Sequence, residues 1–305
     1  TEYSQFDHSL TSLGEPELDE IANRLGGVLE PFVAMSCCIE SARSTAKGVF
    51  VTVPFTATQM NNLPQSETIE AIKKGAEIGV SLGAKIVGLG GYTSIATRGG
   101  EALKDCGAPT TTGNAMTAVS AVDQMRSALA SKSTSLAQSV VSVVGANGIV
   151  GQSIALLSIL ETPKLLLIGS QSRGPERSIL RLKRLAARLC EHLLFMPARK
   201  EVVLRGSVAH EMLKLGDKLN PASDGAALEC IVSQLIQSGR LVLGTRLDRL
   251  LPFCDASFFA TSSTHDLVEP KIVKPGSVLC DVSRPGNIPR DIEHHCVDVL
   301  RINGG

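Results

Sequence analysis

Gly145, Gly148 and Gly151 stand at GxxGxxG spacing, behind the valine-rich run Val140–Val144 and ahead of an apolar segment. The chemistry this pattern suits is phosphate binding. A helix N-terminus carries unpaired N–H groups and a partial positive charge, and it attracts anions. A phosphate reaches that backbone only where side chains are absent, so glycines at the turn permit the approach. Gly145, Asn147, Gly148, Ile149, Val150 and Gly151 are therefore candidate cofactor-binding residues. The alternative is a turn tightened for packing alone. The strand before, the helix after and a second strand about twenty residues on favour a dinucleotide site.

The end of that second strand selects the cofactor. NAD sites usually place Asp or Glu there to hold the ribose hydroxyls. Here Lys164–Ile168 is followed by Gly169-Ser170-Gln171-Ser172-Arg173, with no acid. Ser170, Ser172 and Arg173, helped by Arg177, suit a 2′-phosphate, because a guanidinium pairs with the anion that a carboxylate would repel. The expected cofactor is NADP(H). Two hydroxyl-rich loops, Gly90–Ser94 and Thr110–Asn114, are suited to a carbonyl or carboxylate oxygen. Tyr92, Thr93, Ser94, Thr112 and Asn114 are thus candidate catalytic residues, with ordinary turn and cap chemistry as the alternative.

The elements that would carry these residues alternate. Val49–Val53 reads as a strand, a helix begins at Ser66 with Ile69, Ile72 and Ala76 on one face, and Lys85–Leu89 reads as a strand. The helix opening at Asn114 carries Met116, Val119, Val122, Met125 and Leu129 on one face. After the polar link Ser131–Ser135, Val140–Val144, Lys164–Ile168, Leu241–Leu243, Ala256–Ala260, Ser277–Val282 and Val297–Ile302 read as strands. The expected fold class is α/β, with an N-terminal α/β substrate domain over 1–133. A Rossmann-type doubly wound parallel sheet over 134–305 carries a helical insertion at about 178–238.

Bulk properties narrow the function. The 305 residues hold 30 Lys+Arg and 30 Asp+Glu, a formal net charge of zero, which gives no global signal for nucleic acid. No apolar run reaches the ~18 residues of a membrane helix. Eight cysteines form no CxxC pair, which suits reduced thiols and a cytoplasmic location. No metal site is expected, since His294-His295-Cys296 has no second ligand pair and would split across a strand. Residues 173–205 carry nine Lys/Arg against three Glu, read as a solvated helix face or a dock for an acidic carrier protein. The start at Thr1 and the stop at Gly305 are expected of a piece excised from a longer protein, with other domains of that chain as partners.

The order LGGYTSI (89–95), TTGNAMTA (111–118), VVGANGIVG (143–151) and NGG (303–305) resembles the cyanobacterial long-chain acyl-(acyl-carrier-protein) reductases. The resemblance covers roughly residues 45–170 and 256–305. It implies NADPH-dependent reduction of a fatty acyl thioester, carried on acyl carrier protein or CoA, to an aldehyde. By the same resemblance, Thr261, Ser262 and Ser263 after one strand, and Asp281 through Asn287 after another, belong to the nicotinamide end. It also places the family's nucleophilic cysteine beyond Gly305, with Cys280 and Cys296 as weak substitutes within the chain. Alternatives are a shikimate-dehydrogenase-like NADP oxidoreductase, for which Lys85, Lys104 and Asp105 offer no matching context, and a non-catalytic NADP-binding or scaffolding domain.

Overall fold

The computed structural model describes Ser9 and residues 12–26, 28–172, 174–195, 202–219, 225–263, 265–283 and 286–304. The chain forms two compact units, Thr1–Gly113 and Asn114–Gly305.

In the first unit, α1 (Glu15–Gly26) precedes an antiparallel hairpin of β1 (Phe32–Glu40) and β2 (Thr45–Thr52), with a register shift between Val33 and Met35. Next come α2 (Ala57–Asn62), α3 (Gln65–Ser81), β3 (Val87–Gly88), the short α4 (Thr93–Ala96) and β4 (Thr110–Thr111). Thr56 and Gln59 form a reciprocal capping box that starts α2, and Gln59 Nε2 also donates to Ala22 O and Asn23 Oδ1, tying α2 to α1. The α3 helix buries Ile72 and Ala76 with Leu89, Leu103 and Cys106 in a small core. The β3 and β4 strands pair in parallel.

The second unit runs α5 (Asn114–Ser131), β5 (Val140–Val144), α6 (Ile149–Ser158), β6 (Lys164–Ile168), α7 (Pro175–Phe195), α8 (Val208–Leu219) and α9 (Gly225–Gln237). It continues through β7 (Leu241–Gly244), α10 (Leu247–Leu250), β8 (Ala256–Phe259), β9 (Val278–Asp281), α11 (Ile292–His295) and β10 (Leu300–Asn303). Its six strands lie in the order β10-β9-β8-β5-β6-β7, all parallel. Counted within the unit this is 6-5-4-1-2-3, the Rossmann order, and the expected α/β fold class is observed. The long insertion consists, among the described residues, of most of α7, then α8 and α9.

Alternation along each strand splits the core. Val141, Val143, Leu165, Leu167 and Phe258 face one layer of helices, with Met125, Leu129, Ile154 and Leu182 opposite them. Val144, Ile168, Phe259 and Leu279 face the other side with Val268, Ile288 and Ile292. On that second side the buried Ser142 and Ser257 satisfy each other, Oγ to Oγ at 2.8 Å.

Three sequence readings change here. The helix at 114–131, expected to close the first domain, belongs to the second unit, since it packs on α6, β8, β9 and β10. Its buried face is also rotated: Ala118, Ala121 and Ala128 join Val122, Met125 and Leu129 inside, while Met116 is 69% and Val119 42% exposed. Alanines let the helix axis approach the sheet closely, so they, and not the larger residues, mark the contact. Finally, His294 and His295 are exposed on the short α11, not on a strand, and His295 Nε2 lies 3.1 Å from Asp291 Oδ2. Among the described residues no group of three His, Cys, Asp or Glu could hold a metal ion, and no helix is long and apolar enough to cross a membrane.

Candidate functional site

The glycine turn joins β5 to α6 in the middle of the sheet. Gly145 N donates to Ile168 O at 2.9 Å and Gly148 N to Gly145 O at 2.9 Å, which fixes the turn against β6. Gly145 has φ +82°, and a Cβ there would stand 2.3 Å from Ala260 O and 2.9 Å from Thr261 Cγ2. A Cβ on Gly151 would meet Gly145 O at 2.5 Å. These two glycines serve backbone packing: one lets β5 turn beneath the end of β8, the other lets α6 lie on the turn. Gly148 differs. Its φ of −79° is open to any residue, and it is the N-cap of α6, with no side-chain cap bond. Gly148 is exposed and Ile149 is 66% exposed. The start of α6 at Gly148 and Ile149 thus faces solvent, with no side-chain cap on its first N–H groups, a seat suited to an anion.

To one side of the turn lies the end of β6. Ser170 and Ser172 are exposed, their hydroxyls 2.8 Å apart, and Ser172 N donates to Ser170 Oγ at 3.1 Å. Gln171 Nε2 donates to Thr245 O at 2.8 Å and anchors the loop on the residue that follows β7. Arg173 lies outside the described residues. Asn147 Nδ2 reaches Ser178 Oγ at 3.4 Å and its carbonyl accepts from Gln152 Nε2, so Asn147 braces the turn against α7. Gly169 is not among the expected residues, yet a Cβ there would stand 2.2 Å from Ser178 Oγ. The signal for it is its place, directly after a strand and before a helix.

To the other side lie the loops after β8 and β9. Thr261, Ser262 and Ser263 follow β8, with Ser262 exposed. Thr261 Oγ1 lies 2.5 Å from Asn287 Oδ1 and accepts from Ser263 N. Thr261 is therefore engaged in holding the loop. Asp281 and Asn287, which the sequence reading places at the nicotinamide end by resemblance, are both fully buried. An acid ending a strand, with Ser two positions on, is the local signal for such a side chain capping its own loop.

The hydroxyls of the first unit bond locally. Tyr92 Oη donates to Asn61 Oδ1 at 2.9 Å, Thr93 Oγ1 to Gly90 O at 2.7 Å and Ser94 Oγ to Gly91 O at 3.4 Å. Tyr92, Thr93 and Ser94 share α4 or its N-cap, Thr112 follows β4, and Asn114 opens α5 in the second unit. Cys280 is fully buried in β9, its thiol pushed up to about 12 by burial. Burial also raises the Cys296 thiol, whose Sγ lies 3.7 Å from Pro270 O. Neither sits in the electropositive, open surroundings of a reactive thiolate.

No family model matches the chain. A curated relative, the aminotransferase PigE of Serratia sp. (strain ATCC 39006), is 26% identical over 279 residues. That match takes in 91% of this chain, but the chain spans only about a quarter of the relative's length (26%). Among solved structures, a dipicolinate synthase chain from Bacillus halodurans is 12% identical at a TM-score of 0.34, over 77% of this chain and 62% of that one. A D-lactate dehydrogenase from Treponema pallidum is 14% identical at 0.33, over 78% and 61%. An NAD-complexed D-isomer-specific 2-hydroxyacid dehydrogenase from Lactobacillus delbrueckii ssp. bulgaricus is 12% identical at 0.33, over 76% and 62%. Likenesses this slight carry nothing about activity. The resemblance to acyl-(acyl-carrier-protein) reductases is overturned: the curated relative that matches 91% of this chain is an aminotransferase. Its motifs have local causes, since GGYTS makes a self-bonded turn and TTGN ends one short strand and opens a helix. What the chain does establish is a Rossmann-type α/β unit with a glycine turn at its centre.

Proposed function

We propose that the second unit binds a nicotinamide dinucleotide, NADP(H) in preference to NAD(H), and that the chain is an oxidoreductase module working beside other domains. The observation that carries this is the coincidence of three features at one point. The strand order reverses between β5 and β8, the glycine turn lies there, and the start of α6 at Gly148 and Ile149 opens to solvent without a side-chain cap bond. Ligands of open α/β sheets bind at such switch points.

In this reading the N–H groups of Ile149, Val150 and Gly151 hold the pyrophosphate. Ser170, Ser172, Arg173 and the exposed Arg177 hold the 2′-phosphate, at a strand end that carries no acid. The loops after β8 hold the far half. When bound, the nicotinamide supplies or accepts a hydride. The match to a quarter of a longer aminotransferase supports the module reading.

The test is a fluorescence titration with both reduced cofactors. NADPH binds more tightly than NADH, and Arg173→Ala removes most of the difference. One lost charge-assisted contact corresponds to ~1.5–3 kcal/mol, roughly ten- to a hundredfold in affinity. Equal affinities of the intact chain for the two would rule out the NADP preference while leaving dinucleotide binding standing.

A further inference from the structure

The basic residues of α7 do not scatter around the helix. Arg177, Arg181, Arg184 and Arg188 follow one another at steps of four, three and four residues. At the helical turn angle they fall within an arc of about 60° and form a row about 16 Å long. All four are exposed. Leu180, 49% exposed, stands beside the row, and Phe195, 51% exposed, continues its line at the C-terminal end. Lys183 is also exposed but lies off the row. The opposite face of α7, with Leu182, Leu185 and Leu189, is buried in the core.

The charges of this row are unmet. Among the described residues no carboxylate pairs with any of the four, although Glu176 and Glu191 are exposed on the same helix. Arg188 Nη2 donates to the side chain of Gln152 in α6 at 3.2 Å. Other helices of the chain are built differently. In α1 Arg24 pairs with Glu20, in α5 Arg126 pairs with Asp123, and in α8 Lys214 pairs with Glu211, each one turn away. Like charges one turn apart repel, so the row on α7 opposes the helix that carries it. Arginines edged by exposed apolar side chains have the composition of a protein interface.

We infer that this face of α7 docks an acidic helix of a partner protein. A facing helix with carboxylates at the same spacing meets the row in register, and Leu180 and Phe195 give it apolar anchors. Nucleic acid suits the face less well, because Glu176 and Glu191 flank the row and the chain has no net positive charge. A membrane suits it less well too, because the broad apolar face of α7 is committed to the core. The docking stands apart from the cofactor reading, so Arg177, which that reading places at the 2′-phosphate, is left out of the test.

The probe is a fluorescein-labelled helical peptide of about twenty residues, with Glu at steps of four, three and four and Leu beside them. A second peptide of the same composition spreads its Glu residues around the helix. Fluorescence anisotropy with the full chain reads both. The first peptide is expected to bind about tenfold more tightly than the second. Arg181→Glu, Arg184→Glu and Arg188→Glu combined are expected to weaken it at least about tenfold, and Leu180→Gln about threefold. Lys183→Glu is expected to stay within about twofold of the wild type. If the combined variant does not fold, Arg184→Gln decides, with an expected loss of about threefold. A wild-type chain that does not bind the first peptide, equal affinity for the two peptides, or a loss in Lys183→Glu as large as in the combined variant overturns the inference. Tighter binding to duplex DNA or to vesicles of anionic phospholipid than to the first peptide overturns it as well, since the face would then be a general polyanion surface.

Discussion

Gly145→Ala is expected to lower the melting temperature of the second unit by roughly 6–12 °C, the equivalent of about 3 kcal/mol in a unit of this size. Two costs add. At φ +82° an L-residue sits in left-handed space. The new Cβ would also stand 2.3 Å from Ala260 O, which is backbone at the end of β8 and not the tip of a side chain that could swing away. Relief requires the tops of β5 and β8, neighbours through four paired positions, to part. Differential scanning calorimetry reads this directly. A shift of less than about 2 °C would mean that the turn relaxes freely and that its backbone is not set by the contact with β8.

Gly148→Ala is expected to do the reverse. Its φ of −79° and ψ of 161° suit alanine, and the nearest atom to the added Cβ is Gly145 O at 3.3 Å, so the fold persists with a small adjustment. The methyl group, however, stands where a phosphate must approach the amides of α6. NADPH affinity is expected to fall about ten- to a hundredfold, the loss of one or two charge-assisted hydrogen bonds, with the melting temperature nearly unchanged. Fluorescence titration beside the calorimetry separates the two glycines. Unaltered affinity in Gly148→Ala would remove the α6 N-terminus from the binding site.

The sheet of the second unit is legible in the sequence because buried parallel strands are written as apolar runs. KLLLI at 164–168 and VVSVV at 140–144 appear as strands at those bounds. The order of the strands is legible only through the glycine turn, which marks the first of them. The β1 strand escapes, since FVAMSCCIE is exposed on a two-stranded hairpin and carries no simple alternation. The face of α5 misleads for a related reason: large apolar residues count as buried in a sequence pattern, and the packing chooses alanines. At the candidate site, the glycine turn and the acid-free Ser170–Ser172 loop are visible as local patterns. The joining of two loops by Asp281 and Asn287 is not, because Asn287 bonds to Ser263 and His265 across more than twenty residues. The hydroxyl-rich stretches TTTGN and GGYTS are visible in the sequence, and in the fold the hydroxyls of Thr93 and Ser94 donate to nearby carbonyls.

The central claim, that a dinucleotide sits at the switch point with its phosphates on α6, is tested most directly by amide hydrogen exchange with and without saturating NADPH. The amides of Ile149, Val150 and Gly151 have no capping side chain, so in the free chain they exchange quickly for a helix start. NADPH is expected to slow them, together with the backbone at 170–172 and 261–263. Protection confined to other parts of the chain, with residues 149–151 unaffected, would contradict the account.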